Sequence, residues 1–114
     1  MNKMFIKSIY KTVVEENKEL YQDLFDNTTI DKRTDEYWKQ SLNLYKNLSK
    51  ENKEVLINII EQTMIDTISN IFGIIDGSST LNGCNIKTKL LLNGKDTDGE
   101  LQDTFLEYVE ELEE

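Results

Sequence analysis

The chain has 114 residues, 31% charged and 38% hydrophobic, with a formal net charge of −9 at pH 7. This length fits a single domain, residues 1–114, which buries enough surface to fold without a disulfide or a metal ion. A single cysteine, Cys84, excludes an internal disulfide and is typical of a reducing compartment. Histidine is absent, and with it the commonest general base and metal ligand of proteins.

The distribution of hydrophobic residues predicts a cytoplasmic protein. Residues 1–18 contain no apolar run of signal-peptide length and no cleavage site formed by small residues. No segment approaches the roughly 18 consecutive apolar residues that a membrane-spanning helix needs.

The net charge is confined to one end of the chain. Residues 1–48 and residues 49–95 are each neutral, whereas residues 96–114 contain nine acidic residues and no basic residue. Nucleic acids and anionic membranes are bound by clustered lysine and arginine. The sequence therefore argues against both as partners, and it favours a partner protein with a basic surface.

Two helices are predicted in the first half of the chain, at residues 3–26 and after the polar loop at residues 26–36. Thr34 is the expected N-cap of the second helix, with Asp35 and Glu36 in its first turn. The apolar side of this helix is formed by Tyr37, Trp38, Leu42, Leu44, Tyr45 and Leu48. Trp38 and the tyrosines could line a pocket, but such an aromatic set is more often part of a core.

The segment from residue 49 to 77 is predicted to be the central helix, because apolar residues recur in it every three or four positions. Ser49 is the expected N-cap. The helix could end at Gly77, or one turn earlier at Gly73. Its apolar stripe comprises Ile57, Ile60, Met64, Ile68, Ile71 and Ile75, widened by Leu56, Ile65, Phe72 and Ile74. The side expected to face water carries Asn58, Gln62, Asp66, Ser69 and Asn70.

Glu61 falls among the apolar residues of this central helix. A carboxylate there is either paired, carries a raised pKa, or lies at the edge of the apolar face and extends to solvent. Lys or Tyr side chains of the first two helices are candidate partners. A pocket for a small molecule would require Trp38, Tyr45 and Glu61 to converge.

Residues 86–92 have the alternation of a β-strand, although lysine and leucine also favour a helix. A strand needs a partner, which residues 74–75, residues 80–81 or a second copy of the chain could supply. Asn82-Gly83 is a candidate hairpin turn.

Residues 97–113 are predicted to form the last helix. Thr97 and Glu100 fit a capping box. The apolar stripe comprises Leu101, Phe105, Tyr108, Val109 and Leu112, and acidic residues cover the rest. Residues 96–100 resemble part of a calcium loop, but Gly94 and Phe105 occupy positions that require carboxylates. The sequence predicts no metal site, no cofactor and no catalytic site.

The expected fold is therefore mainly α-helical: four helices around a long central one, with a short β element, a hairpin or an edge strand, before the last. The expected function is that of a small acidic protein-binding module, such as an immunity-type or phage-type inhibitor, that docks its last helix on a basic partner. The candidate partner-binding residues are Asp98, Glu100, Asp103, Glu107, Glu110 and Glu111. The alternatives are an acidic terminus that only confers solubility, and a structural or self-assembling protein whose copies form a homodimer through residues 86–92 or pair through exposed apolar surface of the central helix.

The stretches IIDGSSTL, LLLNG and GELQDTFLEYVEE resemble segments of small uncharacterised bacterial cytosolic proteins. The resemblance covers about a third of the chain and contains no diagnostic motif. It implies a bacterial cytosolic protein, and it implies no activity and no site residue.

Overall fold

The computed structural model describes all residues, 1–114, and confirms the mainly α-helical fold. The N-terminal helix, residues 2–27, consists of α1 (Asn2–Ile9), a π-helical segment (Tyr10–Glu15) and α2 (Glu16–Asn27). It is followed by α3 (Glu36–Lys46), α4 (Lys50–Asp76), a hairpin of β1 (Leu91–Leu92) and β2 (Lys95–Asp96), and α5 (Leu101–Glu113). None of these helices has the length and apolar character required to cross a membrane.

The π-helical segment lies among the residues of the N-terminal helix that face the core. Ile6, Tyr10 and Val14 are all buried and lie four positions apart. In a regular α-helix, with 3.6 residues per turn, such a spacing drifts around the axis. The wider turn of a π-helix keeps the three side chains directed at one core, and π-helical turns are rare enough to indicate a structural requirement.

The N-cap of α3 is Asp35, so the prediction of Thr34 was wrong by one residue. The carboxylate of Asp35 accepts a hydrogen bond from the Trp38 N–H at 2.9 Å. The Thr34 hydroxyl instead accepts from the Asp31 N–H at 3.0 Å, within the preceding turn. The predicted apolar side of α3 is also too wide, because Tyr37 and Leu44 are more than half exposed.

The ends of α4 agree with the sequence. The Ser49 hydroxyl accepts from the Asn52 N–H at 3.1 Å. Gly77 ends the helix with a φ of +83°, a left-handed conformation in which glycine is least strained. Gly73 lies inside the helix, so the earlier end is excluded.

The buried side of α4 is rotated relative to the predicted stripe. Ser69, expected to face water, is buried, whereas Ile71, expected in the core, is 50% exposed. The reason is that α5 packs against the Ser69 side of α4 and leaves the Ile71 side open. The position of a neighbouring helix is not encoded in the apolar pattern of α4 alone.

The β element is a hairpin that closes on itself. Leu91 pairs with Asp96 and Leu92 with Lys95. The turn is Asn93-Gly94, with φ angles of 50° and 81°, the combination that two-residue hairpins favour. Asn82-Gly83 is therefore not the hairpin turn, residues 74–75 and 80–81 are not the strand partners, and residues 86–90 are neither helix nor strand.

The helix α5 begins at Leu101, so the predicted capping box at Thr97 and Glu100 was wrong. Asp98 and Gly99, both with positive φ, form a turn that separates Thr97 from the helix. The buried Thr97 hydroxyl donates to the Leu90 carbonyl at 3.0 Å. The cap comes from a distant residue instead, since the Asp76 carboxylate accepts from the Gln102 N–H at 2.7 Å.

The core lies between the N-terminal helix, α4 and α5. Ile6, Val14, Leu101 and Phe105 have no exposed surface. At the other end of the molecule a smaller aromatic cluster joins α2 to α3, in which the Phe25 and Tyr45 rings stack at 4.8 Å. Tyr21 and Trp38 complete this cluster. Trp38 and Tyr45 therefore pack against other aromatic side chains, as the core interpretation predicts, whereas Tyr37, which is 66% exposed, is not part of a core.

Gly73 allows α4 and α5 to approach closely, and its replacement tests this contact. A Cβ atom at position 73 would lie 2.8 Å from the Gln102 Nε2 and 2.8 Å from the Ser79 Oγ. In a helix interior, Gly→Ala usually stabilises by about 1 kcal/mol. Here we expect Gly73→Ala to lower the free energy of unfolding by about 1 kcal/mol, because Gln102 must leave Ser69.

Denaturant unfolding followed by circular dichroism measures this change, with Gln102→Ala as the second arm of a double-mutant cycle. In the Gln102→Ala background the Gly73→Ala substitution should lose the part of its cost that comes from Gln102 and keep the part that comes from Ser79. An equal cost in both backgrounds would contradict the role assigned to this contact.

Candidate functional site

The outward surface of α5 is an acidic face made of Asp103, Glu107 and Glu110, all three exposed. Their spacing of four and three residues places them on one side of the helix, over about 10 Å of its length. The opposite side carries Leu101, Phe105 and Val109, which are buried in the core. The acidic face is therefore held by apolar packing, and it projects away from the rest of the molecule.

One edge of the acidic face meets two lysines of α1. Glu111 pairs with Lys3 at 3.1 Å, with both side chains about half exposed. The Lys7 ammonium lies 5.8 Å from the centre of the Tyr108 ring. Such exposed contacts contribute little stability because solvent screens them. Their consequence is that Glu111, unlike the three residues of the acidic face, already has a basic partner within the chain.

The other two candidate partner-binding residues lie in the turn before α5. Asp98 is exposed, and its N–H donates to the Asp96 carboxylate at 2.9 Å. Glu100 is exposed and is the residue that precedes the helix. The six residues named from the sequence therefore form three groups: Asp98 and Glu100 at the start of α5, the acidic face along it, and Glu111 at its lysine edge.

A polar pocket of about 420 Å³ lies where α2, α3 and α4 meet. It is lined by three lysines, Lys18, Lys50 and Lys53, and by Gln22, Asp26, Tyr45, Glu54, Ile57 and Asn58. The Tyr45 hydroxyl donates to the Asp26 carboxylate at 2.5 Å, and the Lys53 ammonium lies 5.0 Å from the Tyr45 ring centre. Of the three residues expected to line a pocket together, only Tyr45 does so, because Trp38 and Glu61 face other neighbours.

Glu61 is paired with Lys18 of α2, with 2.6 Å between the ammonium and the carboxylate. About a third of each side chain is exposed. Two of the three possibilities for Glu61 therefore apply together. It lies at the edge of the apolar side of α4, and it is paired with a lysine of the first helix. Burial raises the pKa of the nearby Tyr10, and the negative charge of Glu61 raises this pKa further.

An apolar groove of about 390 Å³ runs between the N-terminal helix and α4. The N-terminal helix contributes Ile9, Val13 and Asn17 to it, and α4 contributes Thr63, Met64, Thr67, Ile68, Ile71 and Phe72. No charged side chain lines it, and no residue of α5 does. The apolar stripes of these helices were recognised from the sequence. The sequence does not show which part of each stripe has no neighbour, because that depends on how the helices pack.

The pH dependence of stability tests the environment of Tyr45. Burial and the hydrogen bond to Asp26 raise the pKa of Tyr45 to about 12. Because this value exceeds the pKa of about 10 expected in the unfolded chain, the stabilisation from this group is complete below about pH 10 and is lost as the pH rises through about 12.

We therefore expect the Tyr45→Phe variant to lose less stability than the wild type between these pH values. In an ultraviolet absorbance titration it should also lack the tyrosine that ionises at the highest pH. Tyr37→Phe, at a residue that is 66% exposed, is the matched control. If the two variants titrate alike, the assignment of the raised pKa to Tyr45 is wrong.

Comparisons with known proteins identify no relative of this chain. No family model matches it, and no similar curated protein and no similar solved structure was found. The resemblance to small bacterial cytosolic proteins and the cytoplasmic location stay predictions. The function is therefore argued from the arrangement of the residues themselves.

Proposed function

We propose that this protein is a small protein-binding module that docks the acidic face of α5 on a basic surface of a partner protein. The observation that carries the proposal is that Asp103, Glu107 and Glu110 are all exposed on one side of a helix whose other side is anchored in the core. An inhibitor of a basic toxin, of the immunity or phage type, is the kind of protein that uses such a surface.

The rest of the chain does not offset the negative charge of this surface. Residues 1–95 are neutral as a whole, so they do not oppose the charge of residues 96–114 at a distance. At the edge of the face Lys3 pairs with Glu111 and Lys7 lies over the Tyr108 ring, so the three residues of the acidic face have no basic partner within the chain. A field of this kind acts mainly on the rate of association, and added salt weakens it.

The anchoring of α5 gives the surface a fixed shape. The Gln102 side chain donates to the Ser69 carbonyl at 3.0 Å, and its N–H donates to Asp76. Near the chain start, the Asn2 side chain donates to the Thr97 carbonyl at 3.1 Å. These contacts fix the start of α5, and a helix held in place before binding presents its charges without a large ordering cost.

Neutralising the acidic face tests the proposal. The triple variant Asp103→Asn, Glu107→Gln, Glu110→Gln should associate with the partner at least about tenfold more slowly at low salt, because it removes the electrostatic steering. The matched control is Glu15→Gln, Glu16→Gln, Glu19→Gln, which changes the net charge equally at three exposed residues of the N-terminal helix.

The partner is first obtained by affinity capture from a bacterial lysate at low and high salt, and association rates are then measured by stopped-flow fluorescence. We expect one basic protein that is depleted at high salt and whose association is slowed only by the α5 variant. Recovery of no basic protein, or equal rates for the two triple variants, would leave the acidic residues with a role in solubility alone.

A second candidate function is that of a structural protein whose copies pair through residues 86–92. The observation in its favour is that no backbone hydrogen bond joins residues 85–89 to another part of the chain. Ile86 is 72% exposed in this segment. The Thr88 hydroxyl donates to the Ile74 and Ile75 carbonyls, at 2.9 and 3.1 Å, which holds the segment against the end of α4 while its backbone groups stay available.

A further inference from the structure

The single chain exposes more surface than a compact protein of its size. Its radius of gyration is 17.7 Å, whereas a compact domain of this length has about 13 Å. Its accessible surface is 8435 Å², against about 6,500 Å² for a folded monomer of the same mass. The excess of about 2,000 Å² exceeds the roughly 800 Å² that each partner contributes to a standard protein–protein interface.

Apolar surface that no other element covers lies along the groove between the N-terminal helix and α4. On one side this helix pair is covered by α5, through Phe105 and Val109. On the groove side nothing covers Ile9, Val13, Met64 and Ile71, and Ile71 is 50% exposed. A helix pair with one open apolar side is half of a four-helix bundle.

The composition of the groove decides which occupant fits it. Its polar residues are Asn17, Thr63 and Thr67, all uncharged, so it offers nothing to a charged peptide. A second copy of the chain presents the same uncharged apolar surface. In a dimer with a two-fold axis, the groove of one copy packs against the groove of the other. The nine acidic residues are not an obstacle, because α5 lies on the opposite side of the helix pair.

Distance limits the repulsion between the two acidic ends. The shortest dimension of one chain is 23 Å, and exposed charges are largely screened beyond about 8 Å at physiological ionic strength. Two copies joined at the groove would therefore hold their α5 helices apart by more than the range of their repulsion. Pairing through α5 itself would instead bring like charges together.

We propose that two copies of this chain form a symmetric dimer through the groove, with two N-terminal helices and two α4 helices as its four-helix centre. This interface is separate from the acidic face, which stays exposed on both outer sides of the dimer. The dimer therefore offers two equivalent acidic surfaces, and the proposal stands or falls independently of the partner that α5 binds.

The oligomeric state of four variants tests the proposal. Ile71→Asp places a carboxylate in the groove of each copy, and Thr67→Arg adds bulk and charge at an exposed position of the same groove without removing a core side chain. Ile59→Asp is the matched control, since Ile59 lies on the same helix, is 56% exposed and does not line the groove. Ile86→Asp tests residues 86–92 as the alternative interface.

Sedimentation equilibrium, from about 1 to about 100 µM protein, measures each dissociation constant. We expect the wild type, Ile59→Asp and Ile86→Asp to have twice the chain mass of 13.3 kDa. Ile71→Asp and Thr67→Arg should raise the dissociation constant by about 100-fold or more, because each interface buries the new charge twice. Circular dichroism confirms that the variants are folded.

Three outcomes would overturn the proposal. The first is a wild-type protein that is monomeric throughout this range, which would leave the groove to a different partner. The second is a dimer that neither groove variant weakens. The third is a dimer that Ile86→Asp dissociates while both groove variants do not, which would place the interface at residues 86–92.

Discussion

The packing of α5 against α4 and the N-terminal helix, close to Gly73, is the contact on which the acidic surface depends. A Cβ atom at this position would collide with the Gln102 amide group. Without one, Gln102 reaches Ser69 with its side chain while its N–H donates to Asp76. An acidic helix with no basic residue is unfavourable in isolation, because like charges repel along it. Its stability is supplied by this contact and by the packing of Leu101, Phe105 and Val109.

Several features that depend on neighbouring residues in the chain were predictable from the sequence, although two other local features, the Asp35 cap and the Asn93-Gly94 turn, were not. Ser49 and Gly77 delimit α4 as expected, and each does so through local hydrogen bonds and backbone conformation. The short β element before the last helix was also expected, as was the order of the four helices. The charge of residues 96–114 is visible in the sequence, and every acidic residue in that segment is exposed.

Features that depend on residues far apart in the chain were not predictable. The cap of α5 comes from Asp76, 26 positions before Gln102, whereas local spacing favoured Thr97. Ser69 is buried because α5 covers it, and Ile71 is exposed because nothing does. An apolar stripe shows how much of a helix avoids water, but not which part meets a helix of the same chain. The groove is also a feature of this kind. It can be recognised only when the position of α5 on the opposite side of the helix pair is known.

The pairing of Lys3 with Glu111 and of Asn2 with Thr97 joins the first turn of the chain to its last helix. Ile6 and Tyr10 pack in one cluster with Phe105 of α5, so they stay uncovered until α5 has been synthesised. Until then the N-terminal helix carries an uncovered apolar side, the kind of surface that chaperones protect in nascent chains. Because α5 also bears the acidic face, this surface forms in the same step that completes the core. Loss of α5 would therefore remove part of the core and the acidic face together.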